Sequence, residues 1–204
     1  MILFLDVISS IPEFSVINDN KIVFSCNIIR SEQEKLSENI IPCYLELNKY
    51  FSLGNKLKGL MITIGPGSYT ALRVGAAFLT GLQYSKNLNI LGVSSETILN
   101  LLTNHKNLTS KGIYLNSANS QNFLSYKDSK NNFVNYKIET DKLLLPKKIN
   151  KIYYNENPLK INFNNIHQVK FSFKEVIQKN LQKINLNKKE IIKPIYISNN
   201  TTLN

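Results

Sequence analysis

The stretch Gly65-Pro66-Gly67-Ser68-Tyr69-Thr70-Ala71-Leu72-Arg73-Val74-Gly75 holds the residue types best placed to do chemistry. Its glycines permit positive φ in a tight turn, Pro66 stiffens that turn, and Ser68 is placed to cap a helix by accepting a backbone N–H bond. A helix start of this kind can also hold an anion. Exposed N–H groups and the positive end of the helix dipole attract phosphate or carboxylate, and Arg73 lies about one turn along. The stretch fits neither G-x-x-x-x-G-K-[ST] nor G-x-G-x-x-G, so the residues alone leave a structural turn and an anion site both open.

Other reactive side chains are few. His105 and His167 lie far apart in polar surroundings, unlike the two histidines one helical turn apart of a helix-borne metal site. Cys26 and Cys43 have neither the number nor the spacing of a disulfide framework or zinc site, so they read as reduced thiols of a cytoplasmic protein. No nucleophile elbow occurs, and no nucleophile and base fall close together. These residue types predict no catalytic residue and no metal ligand set.

Secondary structure must place these residues. Met1 to Val7 is a continuous apolar run interrupted only by Asp6, which predicts a strand buried on both faces. Phe14–Ile17 and Lys21–Ile28 predict a hairpin through Asn18-Asp19-Asn20. Leu36, Ile40, Tyr44, Leu47 and Phe51 recur at three- and four-residue spacing, predicting an amphipathic helix from Gln33 to Phe51. Ser31 and Glu34 give it a capping-box signature, and Pro42 should kink or divide it. A strand over Lys58–Ile64, a helix over Ser68–Ser85, a strand over Asn89–Val93 and a helix over Ser94–Thr103 follow. Residues 1–104 therefore read β-β-β-α-β-α-β-α, an α/β lobe with a mixed sheet and right-handed crossovers. The Ser68–Ser85 helix has almost no polar face, which predicts burial nearly all round. Its small residues Ala71, Gly75, Ala76 and Ala77 invite close approach of another helix, from this chain or a partner. Strands over Gly112–Asn116, Phe123–Tyr126, Phe133–Ile138 and Lys151–Tyr154, with a basic helix over Phe173–Ile184, make 105–204 a reduced second lobe.

The 204 residues carry a net charge of +11 and are 43% hydrophobic, enough apolar content for a core. No run approaches the roughly 18 apolar residues of a membrane span, and the opening apolar run lacks the basic region of a signal peptide. Residues 1–105 balance eight basic against eight acidic residues, whereas 106–204 hold seventeen against six. The second half is thus either a basic face for RNA or an acidic partner, or a solvated surface left by drift toward Lys, Asn and Ile. In the first case Tyr126, Tyr153, Tyr154 and Phe171 would stack on bases, and Lys147, Lys148 and Lys151 would meet phosphates.

The run over residues 65–75, following a hydrophobic strand, resembles the hallmark of the TsaB-type proteins of tRNA threonylcarbamoyladenosine synthesis. Further segments agree in order: a first strand ending in Asp6, Ser37-Glu38-Asn39-Ile40-Ile41-Pro42, Leu91-Gly92-Val93-Ser94, and Pro194-Ile195-Tyr196. The resemblance is concentrated in residues 1–100. It implies an actin-like, ribonuclease H-like fold and a non-catalytic relative of the TsaD-type transferase. It further implies a heterodimer with that transferase through first-lobe helices, a TsaE-type ATPase as a further partner, and indirect contact with tRNA; whether the isolated chain pairs with itself is left open by the sequence. Residues implied in partner or ligand contact are Ser37, Glu38, Gly65, Gly67, Ser68, Tyr69, Thr70, Arg73 and Gly75. ATP and Mg²⁺ would act only in the complex. The sequence departs from the family pattern where Asp6 is followed by Val7-Ile8, where Leu36 replaces a histidine, and where Asn116-Ser117-Ala118 replaces Asp-Ala-Arg. An actin-fold enzyme with its own ATP site needs a glycine in the first hairpin, and Asp6-Val7-Ile8-Ser9-Ser10 has none.

Overall fold

The apolar run at the start of the chain becomes β1 (Ile2–Asp6), the middle strand of a five-stranded sheet. In this computed structural model residues 1–31, 33–138, 145–160, 165–186 and 191–197 are described, with the backbone of 202–203. β1 pairs antiparallel with β2 (Glu13–Asn18), and β2 with β3 (Lys21–Asn27). The β2–β3 loop has two residues, Asp19 and Asn20, both at positive φ, as right-handed strand twist requires of a two-residue hairpin. On its other side β1 pairs parallel with β4 (Gly59–Gly65), which pairs parallel with β5 (Ile90–Ser94). β1 and β4 are the most apolar strands and lie side by side in the sheet, nearly wholly buried.

Helices fill the crossovers: α1 (Leu36–Phe51) and the short α2 (Leu53–Lys56) before β4, α3 (Tyr69–Lys86) before β5, and α4 (Ser95–Thr103) after it. The expected α/β order of the first lobe is present, with α2 added. Two local expectations are corrected. Ser31 and Glu34 do not cap α1: its N-cap is Lys35, without a side-chain bond, and the Glu34 carboxylate accepts instead from the Arg30 N–H at 2.7 Å. Pro42 does not divide α1, because its ring lies on the exposed side of the helix, where water can serve the Glu38 carbonyl that loses its donor. α4 begins where the sequence places it, and the Ser94 hydroxyl caps it by accepting from the Thr97 N–H at 3.1 Å.

The second sheet repeats the strand plan of the first. β6 (Lys111–Ser117) pairs antiparallel with β7 (Gln121–Lys127) and β7 with β8 (Phe133–Ile138). On the other side β6 runs parallel to β9 (Lys151–Tyr154), and β9 to β10 (His167–Lys170). The order β3-β2-β1-β4-β5 thus corresponds to β8-β7-β6-β9-β10, with β11 (Thr202–Leu203) added beside β8. Among the described residues the second-lobe crossovers carry no helix. Sequence reading missed β10 and β11.

Strand alternation splits the second lobe between two cores. Ile113, Leu115, Phe123 and Tyr153 join the main core of the first lobe, while Tyr114, Leu124, Tyr126 and Ile152 build a smaller one on the opposite face. The expected basic helix is shorter, α5 (Phe173–Asn180) followed by a 3₁₀ turn over Leu181–Lys183. It returns to the first sheet, where Phe173, Val176 and Ile177 are buried and Lys174 pairs with Glu13 at 2.6 Å.

Candidate functional site

The glycine-rich turn is a junction between the lobes. Gly65 ends β4 at φ +115°, a conformation that favours glycine, and a Cβ there would stand 2.7 Å from the Ile195 carbonyl oxygen. Ile195 donates its N–H to the Ile64 carbonyl at 2.7 Å, so residues 191–197 close over the strand end. A Cβ on Gly67 would sit 3.3 Å from Ile8 and 3.5 Å from the Ser117 hydroxyl. The Ser68 N–H donates to that same hydroxyl at 3.0 Å, and the Ser68 side chain makes no cap bond. The expected serine cap is therefore absent: Ser68 is buried, and its peptide bridges the lobes. Ser117 lies 49 residues from Ser68, and no local sequence pattern points to this contact.

The remaining predicted residues distribute as follows. Tyr69, Thr70 and Arg73 are exposed; the Arg73 guanidinium lies over the Tyr69 ring, 5.2 Å from its centroid, and donates to its hydroxyl at 3.2 Å. The Tyr69 ring packs on Tyr196 at 4.7 Å. Gly75 faces the chain's own sheet, where a Cβ would stand 2.8 Å from Val7 and 3.1 Å from Ile62. Ser37 and Glu38 are exposed in the first turn of α1, with Glu38 paired to Lys35 at 3.5 Å.

At the β1–β2 turn, hydrogen-bond donors turn inward. The Val7 N–H goes to the Thr63 hydroxyl at 2.9 Å, and Thr63 donates to Asp6 at 3.0 Å. Asp6 also accepts the N–H groups of Ile8 and Ser9 and the Ser9 hydroxyl. Burial pushes the Asp6 carboxyl above the ordinary range, against the opposing pull of the Ser9 hydroxyl and the other donors. Ser10 gives both its N–H (2.6 Å) and its hydroxyl (2.8 Å) to the Glu156 carboxylate of the second lobe. The whole donor set of residues 7–10 is spent on protein acceptors.

A cleft of about 1050 Å³ opens beside this turn, lined by Ser10, Asn27, Arg30, Asn116, Asn119 and Glu156 among others. Its walls mix amides and hydroxyls with the Arg30 guanidinium, the Glu34 and Glu156 carboxylates and the apolar Ile11 and Ile29. Such a lining offers hydrogen bonding and charge, with no histidine among the lining residues. Among the described residues no group of three or more His, Cys, Asp or Glu could hold a metal. His105, in the turn after α4, and His167, on β10, are both exposed. The two thiols, in contrast, meet: Cys26 Sγ and Cys43 Sγ are 3.5 Å apart.

The second distinctive surface is the outer side of α1 and α3, which pack together through Tyr44 and Phe78 with ring centroids 5.4 Å apart. α3 is not buried all round. Ala71, Leu72, Gly75 and Leu79 face inward, whereas Arg73, Ala77, Gly81 and Tyr84 are exposed. Alanine and glycine made the helix look apolar in sequence, yet they expose little apolar area. α1 adds Ile41 and Leu45, each more than half exposed. Of the aromatics expected to stack on RNA, Tyr126, Tyr153 and Phe171 are buried and Tyr154 is half-buried, which corrects that expectation.

No helix of the described residues is long and apolar enough to cross a membrane. The chain matches the family described as TsaD, tRNA N6-adenosine threonylcarbamoyltransferase, over residues 27–186. No curated protein sequence matches it significantly. Among solved structures it is similar to YeaZ from Pseudomonas aeruginosa at 11% identity, with 96% of this chain and 99% of that one covered and a TM-score of 0.60. A second similar structure, an uncharacterized protein with similarity to peptidase YEAZ from Pseudomonas aeruginosa, gives 11% identity, 97% and 99% coverage and a TM-score of 0.61. With its glycine turn, its duplicated strand plan and a family match over well more than half its length, the chain belongs to the TsaD family and has the two-lobed, TsaB-type actin-like fold.

Proposed function

We propose that this protein serves threonylcarbamoyl modification of the tRNA adenosine next to the anticodon, as a non-catalytic partner of a TsaD-type transferase in the cytoplasm. The observation that carries the reading is the exposed α1/α3 face, where Ile41, Leu45, Ala77 and Gly81 offer apolar and small side chains on two adjacent helices. Small residues let a partner helix approach closely, and desolvating the isoleucine and leucine supplies a hydrophobic contribution.

The consumed donors of the β1–β2 turn support a role without its own catalysis. A phosphate would have to displace Glu156 from Ser10 and find other N–H groups, and those of Ile8 and Ser9 are held by Asp6. In this reading ATP and Mg²⁺ are handled in the complex, with a TsaE-type ATPase, and tRNA contact is indirect. Without its partner the same face can pair with a second copy. The test is association with the transferase from the same source, and it belongs at Ile41 and Gly81. A bulky residue at Gly75 would clash with Val7 and Ile62 inside this chain and report on folding instead.

A further inference from the structure

Cys26 lies on β3 and Cys43 on α1, 17 residues apart in sequence, and their sulfurs are 3.5 Å apart with both thiols free. A disulfide needs about 2.05 Å, so an approach of about 1.5 Å would close the bond. An open groove of about 100 Å³, bounded by Ile28, Arg30, Asn39, Pro42 and Glu46, reaches Cys43. Arg30 spans toward Glu46 at 3.6 Å. Cys26 is partly exposed, whereas Cys43 is buried and is reached only through that groove.

We propose that Cys26 and Cys43 form a two-electron redox couple, oxidised by a low-molecular-weight disulfide to an intramolecular bond that staples β3 to α1. The Cys43 thiolate attacks one sulfur of the oxidant, breaks its S–S bond and releases one thiolate, leaving a mixed disulfide on Cys43. Cys26 gives up its proton to solvent and attacks the Cys43 sulfur, releasing the second thiolate. Two electrons pass from the cysteine pair to the oxidant, which leaves as two thiols. The order of attack follows the surroundings. With the Cys26 thiol as donor in the S···S contact, Cys43 is favoured as the thiolate and Cys26 stays protonated; burial and the Glu46 carboxylate oppose the effect on Cys43, and the Arg30 guanidinium adds to it. Ile41 and Leu45 flank Cys43 on α1, so the staple would fix the helix that carries the proposed partner face. The redox chemistry itself is independent of the partner reading.

The full-length reduced protein would be equilibrated in oxidised and reduced glutathione buffers, quenched with an alkylating agent under denaturing conditions, and analysed by intact and peptide mass spectrometry. The expected result is loss of both alkylation sites with a peptide pair linking Cys26 to Cys43, and a higher Tm for the oxidised form. Cys26→Ser should instead accumulate a glutathione adduct on Cys43, and Cys43→Ser should react more slowly than wild type. Persistent glutathione adducts on the wild type, a disulfide between two copies, or two alkylatable thiols in excess oxidant would overturn the proposal. The wild-type peptide map decides the matter even where a serine variant folds poorly.

Discussion

The Glu156 carboxylate, from the loop after β9, holds Ser10 of the β1–β2 turn by two hydrogen bonds, at 2.6 Å to its N–H and 2.8 Å to its hydroxyl. A carboxylate of the second lobe thus fills the place at the first hairpin where an anion would dock. It joins several polar ties across the interlobe boundary, among them Ser68 to Ser117, Ser95 to Asn135 and Lys174 to Glu13.

Ser10→Ala removes the hydroxyl bond and Glu156→Ala removes both bonds; each should lower stability by about 0.5–1.5 kcal/mol, and the double variant should cost little more than Glu156→Ala alone, because the hydroxyl bond is already lost with the carboxylate. A denaturant double-mutant cycle measures this coupling. The isolated wild-type chain should show no ATP hydrolysis; steady turnover would show that the turn can release its carboxylate for a phosphate.

Asp6 gives a pH signature. Its folded-state pKa is raised above the ordinary 3.8, chiefly by burial. The folded chain therefore holds the proton more tightly than the unfolded one, and stability falls as pH rises from about 3.8 through the raised value, then levels. Asp6→Asn keeps one acceptor oxygen and lets the Ser9 hydroxyl turn to accept. It should abolish that part of the Tm slope and stay within about 1 kcal/mol of wild type at pH 7. An unchanged slope would assign the titration to another group.

Gly75 and Gly81 lie on opposite sides of α3 and should separate folding from association. Gly75→Ala places a Cβ 2.8 Å from Val7 and should cost about 1–3 kcal/mol of stability while leaving partner affinity intact. Gly81 has no atom within 4 Å of an added Cβ, so Gly81→Trp should melt near wild type. Thermal melts paired with binding measurements on both variants check the assignment; equal loss of association in both would place the contact elsewhere.

Tyr153 is a core residue, beneath the Lys151 ammonium at 5.0 Å. Tyr153→Ala should destabilise the second lobe by about 3 kcal/mol or more. A variant of wild-type stability that selectively lost salt-sensitive RNA binding would restore the stacking role.

Periodicity and turn chemistry made the first lobe legible. The apolar runs of β1 and β4 and the Asp19-Asn20 turn each have one stable local solution, and the structure adopts it. Ser31 with Glu34 misled because a capping signature is two residue types at a spacing, and here Glu34 finds the Arg30 N–H just before Ser31. Ser68 occupies the N-cap position without its hydroxyl making the cap bond, and its peptide N–H meets Ser117, 49 residues away, a contact that no local pattern encodes. The same distance problem hid Glu156 opposite Ser10 and brought Cys26 to Cys43. In the second lobe β10 was missed because His167-Gln168-Val169-Lys170 has a single strongly apolar residue; its pairing with β9 makes it a strand.

The most direct measurement is light scattering on an equimolar mixture of this protein with the TsaD-type transferase from the same source, beside each alone and beside the Gly81→Trp and Ile41→Asp variants. A one-to-one heterodimer with the wild type, weakened at least tenfold by either substitution without loss of fold, is the predicted result. Two unassociated species at micromolar concentration, with or without ATP and Mg²⁺, would contradict the partner role.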